Sequence, residues 1–300
     1  MLFSIVLVIS AVSFEQWSPI KGIRQSFYVS ALSTSSSSTS SLSSSPANII
    51  STSSSATKTF SKTKRIAIVG AGAVGSYYGG RLWEGLCGSN SSGSSQSNTN
   101  VMFHLRNENY DHCVKHGIDV SSYHGDFSIP AEELMAFRTT EDMARSVVVE
   151  EDNNDGDGRS STSSFDWVIC ALKSTSLDEV PKLIDPLLSP ETRVLVMMNG
   201  LVEDDLIQMM RKQQELKGLK GVGCKAVYGG MALICSNRLS PGKISHTYGG
   251  KLVCGVAYSA DASDNDTGKW VESDKQAILD LFKPATPVPF VFEPNLRRGR

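Results

Sequence analysis

Residues 65–75 run Arg65-Ile66-Ala67-Ile68-Val69-Gly70-Ala71-Gly72-Ala73-Val74-Gly75, and the fold turns on how they are read. The apolar, mostly β-branched run at 66–69 predicts a strand. Residues 76–86 then place Tyr77, Tyr78, Leu82, Trp83 and Leu86 near 3.6-residue spacing, which predicts a helix with one apolar face. Between them lies G-x-G-x-x-G. Alone that pattern is weak; strand, glycine turn and helix in succession form a dinucleotide-binding fingerprint. Gly70 permits the tight turn, Gly72 lets the backbone approach a pyrophosphate, and Gly75 lets the helix close against the strand. The amide N–H groups through Ala71, Ala73 and Val74 open the helix, where the backbone dipole favours a negative charge.

The chain beyond the helix repeats this alternation. Residues 88–100 are rich in Ser, Asn and Gly and are expected to be an insertion. Residues 101–105 predict a second strand, ending in Arg106-Asn107. An acid there would bind a ribose 2′-hydroxyl, whereas an Arg accommodates a 2′-phosphate, so Arg106 favours NADPH over NADH. His112 and His116 share a helix face beside Cys113, with His124 further on. No third ligand stands at a fixed offset, so a solvated helix is expected and no metal is assigned. Residues 117–129 predict a hairpin. Residues 150–164 are acidic, then Ser-rich, and are expected to be a second insertion; Thr162 occupies the place where a calcium loop needs a bidentate carboxylate.

Residues 165–172 read as a strand buried on both faces and end at Lys173. A helix is expected from Thr175, with Leu177, Val180, Leu183, Ile184, Leu187 and Leu188 inward. Another buried strand, 192–198, ends in Asn199-Gly200, and 201–210 is expected to be helical. Residues 222–235, 243–247 and 251–255 predict three strands joined by tight turns, with Ser240-Pro241-Gly242-Lys243 the strongest turn signal. A helix at 274–282 and a strand at 288–292 complete the pattern. Strands alternating with helices predict an α/β fold with a doubly wound sheet. Ligands in such sheets sit outside the carboxyl ends of the strands. Gly70, Arg106, Lys173 and Asn199 all fall at such ends.

The chain has 300 residues and a formal net charge of -2, which gives no reason to expect a nucleic-acid partner. Its six cysteines include no C-x-x-C pair, and several sit in apolar runs, so buried reduced thiols are expected. The apolar stretch 2–12 is shorter than the roughly 20 residues that span a bilayer, so no stable membrane insertion is expected. It suits the apolar core of a signal peptide, with Ala11 and Ser13 before a cut, although no positive segment precedes it. From Gln16 to Trp83 there is no acid, and 33–61 is dominated by Ser and Thr. That composition resembles an organellar transit peptide and cannot bury a core. Phe14 directly after the expected cut fits a two-part plastid address; a mitochondrial address and simple secretion stay open. Asn90 and Asn265 head glycosylation sequons, informative only on a secretory route.

Taken in order, these motifs resemble the ketopantoate reductases (2-dehydropantoate 2-reductases) over residues 64–300. The resemblance rests on GAGAVG at 70–75, Arg106, the ALKS run around Lys173 and the MNGL run around Asn199. Gly229-Gly230, SPGKISHTYGG at 240–250 and Glu293-Pro294-Asn295-Leu296 add to it. It implies a Rossmann-type domain and NADPH-dependent reduction of ketopantoate to pantoate, a step towards coenzyme A. It places Lys173 near the nicotinamide end of the cofactor and the substrate, and Asn199 on the cofactor there. It also implies a proton-donating lysine in a helical second domain, in a W-x-K-L run beyond Arg300. The expected organisation is a targeting segment at 1–63, an NADP-binding domain at 64–292 with insertions at 88–100 and 150–164, and the start of a helical domain at 293–300. On that expectation the chain holds NADPH without turning over, and an uncovered apolar patch favours self-association. A related 2-keto acid reductase, and a non-catalytic NADPH-binding or redox-sensing protein, stay open. The oligomeric state is not legible.

Overall fold

The computed structural model describes residues 63–87, 99–147, 165–262 and 270–296. The described residues all fall within one unit, Lys58–Arg300. The predicted targeting segment up to residue 62, both sequons and the acidic insertion at 150–164 lie outside the described residues. So do residues 88–98 of the first insertion and 297–300.

Strand β1 (Lys64–Val69) and helix α1 (Ala73–Leu86) are followed by β2 (Thr99–His104) and α2 (Asn107–His116). Then come β3 (Ile118–Ser122), β4 (Phe127–Ile129), β5 (Met135–Phe137) and α3 (Thr140–Arg145). The second half adds β6 (Trp167–Cys170), α4 (Val180–Ile184), β7 (Arg193–Val196) and α5 (Glu203–Leu216). The long pair β8 (Ala226–Ser240) and β9 (Lys243–Ser259) precedes α6 (Glu272–Phe282) and β10 (Phe290–Phe292). All ten strands join one sheet in the order β4-β3-β9-β8-β7-β6-β1-β2-β5, with β10 also on β9. From β8 to β5 every pairing is parallel. The β8–β9 and β3–β4 pairs are antiparallel.

The unbroken apolar runs of the central strands have a direct cause: both faces of the sheet are covered. Ile66, Ile68, Trp167, Ile169 and Leu195 face a core built on Tyr77, Tyr78 and Leu82 of α1. The alternating Ala67, Val69, Val168, Cys170 and Val194 face a second core with Ile184, Leu206 and Met210 of α4 and α5. The sheet is doubly wound, as expected, and it also curls. Helix α1 touches β1 and β2 on one side and β3, β4, β8 and β9 on the other. Glycine makes that close seat possible. A Cβ on Gly80 would stand 2.4 Å from Phe127 Cε2, and one on Gly79 2.8 Å from Ile68 Cγ1.

Two sequence expectations need correction. The helix expected over 175–188 is broken into a 3-10 turn at Ser174–Glu179, α4, and a second 3-10 turn at Asp185–Leu187. Pro181 and Pro186 lack the N–H groups a continuous helix requires. Val180, Ile184 and Leu187 are still buried. Residues 243–247 and 251–255 are not separate strands but parts of β9. Gly249 and Gly250, both left-handed (φ 79° and 99°), form a bulge in it. Leu233 pairs with Lys251 and Ile234 with Gly249, so Gly250 is skipped. The predicted hairpin forms, with Ile118 opposite Ile129, and its first strand β3 pairs with β9. The 240–243 turn forms as expected, with Ser240 opposite Lys243.

Burial accounts for the cysteines. Cys113, Cys170 and Cys224 are buried, and burial pushes their thiols up to about 11, 12 and 12, which keeps them protonated. Cys87 is half-buried, and Cys235 departs from the expectation by lying exposed on β8.

Candidate functional site

Four adjacent parallel strands stop in one row. His104 pairs with Val69, Val69 with Cys170, and Cys170 with Val196. Gly70, Arg106, Lys173 and Asn199 leave the sheet just beyond that row. The topology therefore gathers four residues from across the span 70–199 onto one carboxyl-end rim, where an open α/β sheet binds its ligand.

The glycine turn occupies the centre of the rim. Gly70 is left-handed at φ 90°, and the Gly72 N–H donates to the Gly70 carbonyl at 2.7 Å. The Ser76 hydroxyl donates to the Ala71 carbonyl at 3.2 Å, and the Ala71 N–H donates to the His104 carbonyl at 3.2 Å. A Cβ on Gly75 would stand 2.5 Å from the Gly70 oxygen and 3.2 Å from Ala171 Cβ, so this glycine sets the approach of helix to strand. Gly72 is different: nothing lies within 4 Å of where its Cβ would be. No side chain caps α1, and no acid stands in its first turn. The first N–H groups of a helix have no partner within it. Through Ala73 and Val74 they therefore present an uncovered positive end, which fits a diphosphate.

Arg106 caps the end of β2 and is exposed, with its guanidinium 3.7 Å from Glu179 Oε2. Asn107, next to it, has φ 52° and is the only non-glycine residue with positive φ among the described residues. Asn tolerates that left-handed state better than most side chains. Beside them opens a cavity of about 310 Å³, lined by His104, Arg106, Arg138, Thr139, Thr140 and Leu183 among others. Arg138 escaped the sequence reading. It follows β5, a three-residue strand too short to announce itself, and only the pairing of β5 with β2 brings it to Arg106. Its guanidinium pairs with Asp111 at 2.5 Å and lies 4.5 Å from the centre of the Tyr110 ring.

His104 underlies this cavity. It is 3 % exposed, and burial, helped by the nearby charge of Arg106, lowers its pKa to about 4. The ring hydrogen-bonds the Arg138 main chain, and its Nδ1 has no partner among the described residues.

Lys173 and Asn199 are exposed on neighbouring strand ends. The Lys173 carbonyl accepts from the Ser176 N–H at 2.9 Å, and left-handed Gly200 turns the chain after Asn199. Gly229 and Gly255 stand in tight contacts. A Cβ on Gly229 would stand 2.4 Å from Glu203 Oε1 and 2.5 Å from Leu296 Cδ2. One on Gly255 would stand 2.4 Å from the Glu293 carbonyl. Gly229 pairs with Val196, so the run from Glu293 to Leu296 crosses β8 and β9 beside the rim.

Comparison with known proteins matches this arrangement to one family model, the ketopantoate reductase PanE/ApbA, over residues 66–258. The chain belongs to the ketopantoate reductase family. A 2-dehydropantoate 2-reductase of Nostoc is 26% identical over 193 residues, covering 64% of this chain and 46% of the relative. An uncharacterised oxidoreductase of Bacillus subtilis is 27% identical over 156 residues, covering 52% and 40%. The chain thus spans less than half the length of these curated relatives. Among solved structures, the 2-dehydropantoate 2-reductase of Geobacter metallireducens superimposes with a TM-score of 0.55 at 25% identity, covering 79% of this chain and 60% of that one. The enzyme of the same name from Porphyromonas gingivalis gives 0.54 at 16% identity, over 78% and 66%, and shares the fold. No helix among the described residues is long and apolar enough to cross a membrane.

Proposed function

We propose that this chain binds NADPH across the rim and presents it to a small 2-keto acid, ketopantoate, for reduction to pantoate. The alignment of Gly70, Arg106, Lys173 and Asn199 in one row of strand ends is the observation that carries this reading. The open backbone at Gly72 and the uncapped start of α1 hold the diphosphate. Arg106 takes the 2′-phosphate, which a guanidinium meets with two parallel hydrogen bonds. The cofactor, when bound, supplies a hydride to the ketone carbon, and the carbonyl oxygen becomes an alkoxide that takes up a proton. At that end of the rim the Asn199 amide orients the nicotinamide ribose. The Lys173 ammonium attracts the carboxylate of the keto acid and stabilises charge growing on the carbonyl oxygen. The proton donor is assigned to none of the described residues.

Fluorescence titration of the full chain with NADPH and NADH tests the cofactor half of this reading. NADPH is expected to bind more tightly, and Arg106→Glu is expected to remove the preference. Absence of binding, or indifference to that substitution, overturns it. For the substrate half, ketopantoate is expected to bind the NADPH-loaded chain in calorimetry, and Lys173→Ala to weaken that binding with NADPH affinity kept.

A further inference from the structure

We propose that Arg138 is a second specificity residue for the 2′-phosphate, forming with Arg106 a two-guanidinium clamp; this rests on the nucleotide reading above. Leu105 donates its N–H to the Phe137 carbonyl at 3.0 Å, and His104 pairs with Phe137. Arg106 and Arg138 therefore leave two hydrogen-bonded parallel strands at nearly the same level. Neighbouring strands lie about 5 Å apart, and both side chains line the same cavity of about 310 Å³. Thr139 and Thr140 add hydroxyls to its wall.

Two features show that the cavity is built around Arg138. Its guanidinium is steered by the Tyr110 ring and Asp111, both on α2. Its main chain is held by the ring of His104, whose buried Nδ1 remains unpartnered among the described residues.

The acids nearby do not cancel the clamp. Glu141 also lines the cavity, and its carboxylate accepts from the Thr140 hydroxyl at 3.4 Å. Glu179 and Asp111 pair with the two arginines, but all four of those side chains are substantially exposed. Exposed ion pairs are weak and screened by salt. A phosphate of charge about -1.5 to -2 with three acceptor oxygens, as on a phosphorylated hydroxyl, competes for both guanidiniums at once. An unphosphorylated ribose gives neither arginine a charged partner, so the second arginine sharpens NADPH against NADH rather than raising affinity for both.

The test is calorimetric titration of the full chain, as wild type, Arg138→Gln, Arg138→Lys and Arg106→Gln, with NADPH, NADH and 2′,5′-ADP. Arg138→Gln is expected to weaken NADPH and 2′,5′-ADP by about tenfold, the loss of one charge-assisted contact, and to leave NADH within twofold. Arg138→Lys is expected to recover part of the loss. If Arg138→Gln leaves the NADPH-to-NADH ratio unchanged while Arg106→Gln lowers it, the clamp is refuted and the nucleotide reading stands. Equal weakening of both nucleotides also refutes it, since Arg138 then acts without specificity. A wild type that binds neither nucleotide overturns both. Thermal melting of each variant confirms that it is folded.

Discussion

The imidazole of His104 lies under the rim with Arg106 nearby, and both burial and that charge disfavour its protonation. Its folded pKa is about 4 against an ordinary value of 6.5. Between those values the unfolded chain takes up a proton that the folded chain refuses. Stability is therefore fully present above about pH 6.5, falls as the pH drops towards 4, and levels off below it, a loss of at most about 3 kcal/mol. His246 and His124 are lowered in the same direction, chiefly by burial, and add to the trend. Urea unfolding at pH 7 and pH 5 is expected to show a smaller gap in His104→Asn than in the wild type; an equal gap overturns the assignment. The sequence shows a histidine at a strand end, but it does not show what depresses its pKa.

Helix α1 is the element that ties the curled sheet together, and Arg81 is its fastener. Arg81 is 2 % exposed, yet it pairs with Glu84 at 2.7 Å and donates to the Gly125 carbonyl and, at 3.4 Å, to Ser122 Oγ. Its guanidinium also lies 4.3 Å from the centre of the Phe127 ring. These contacts bind α1 to β3, to β4 and to the loop between them. Hydrogen bonds from a charged donor contribute more than neutral ones. Arg81→Ala is expected to cost about 2–3 kcal/mol and to increase amide exchange in residues 118–129 more than in β1. An unchanged melting midpoint overturns this. The helical spacing of α1 and its seat on β1 were legible in the sequence, but its contacts with β3, β4, β8 and β9 were not, because those strands come from segments farther along the chain.

At the scale of the molecule, the β8–β9 arm exposes Leu233 at 49% and Tyr248 at 73%, and Leu201 at the rim is 63% exposed. Contiguous apolar surface favours association. Light scattering is expected to show self-association that Leu233→Lys combined with Tyr248→Lys reduces; a monodisperse wild-type monomer counts against it. The sequence by itself determined the alternation of strand and helix, the glycine turn, and the four strand-end residues. Those features depend on local periodicity and on backbone conformations that only glycine adopts readily. The tertiary structure alone decided that the hairpin β3–β4 joins β9, that Gly249-Gly250 bends one strand rather than joining two, and that Arg138 meets Arg106. Each of these is a pairing between distant segments, fixed by which buried faces and main-chain groups satisfy one another, and no local pattern of residues encodes that choice.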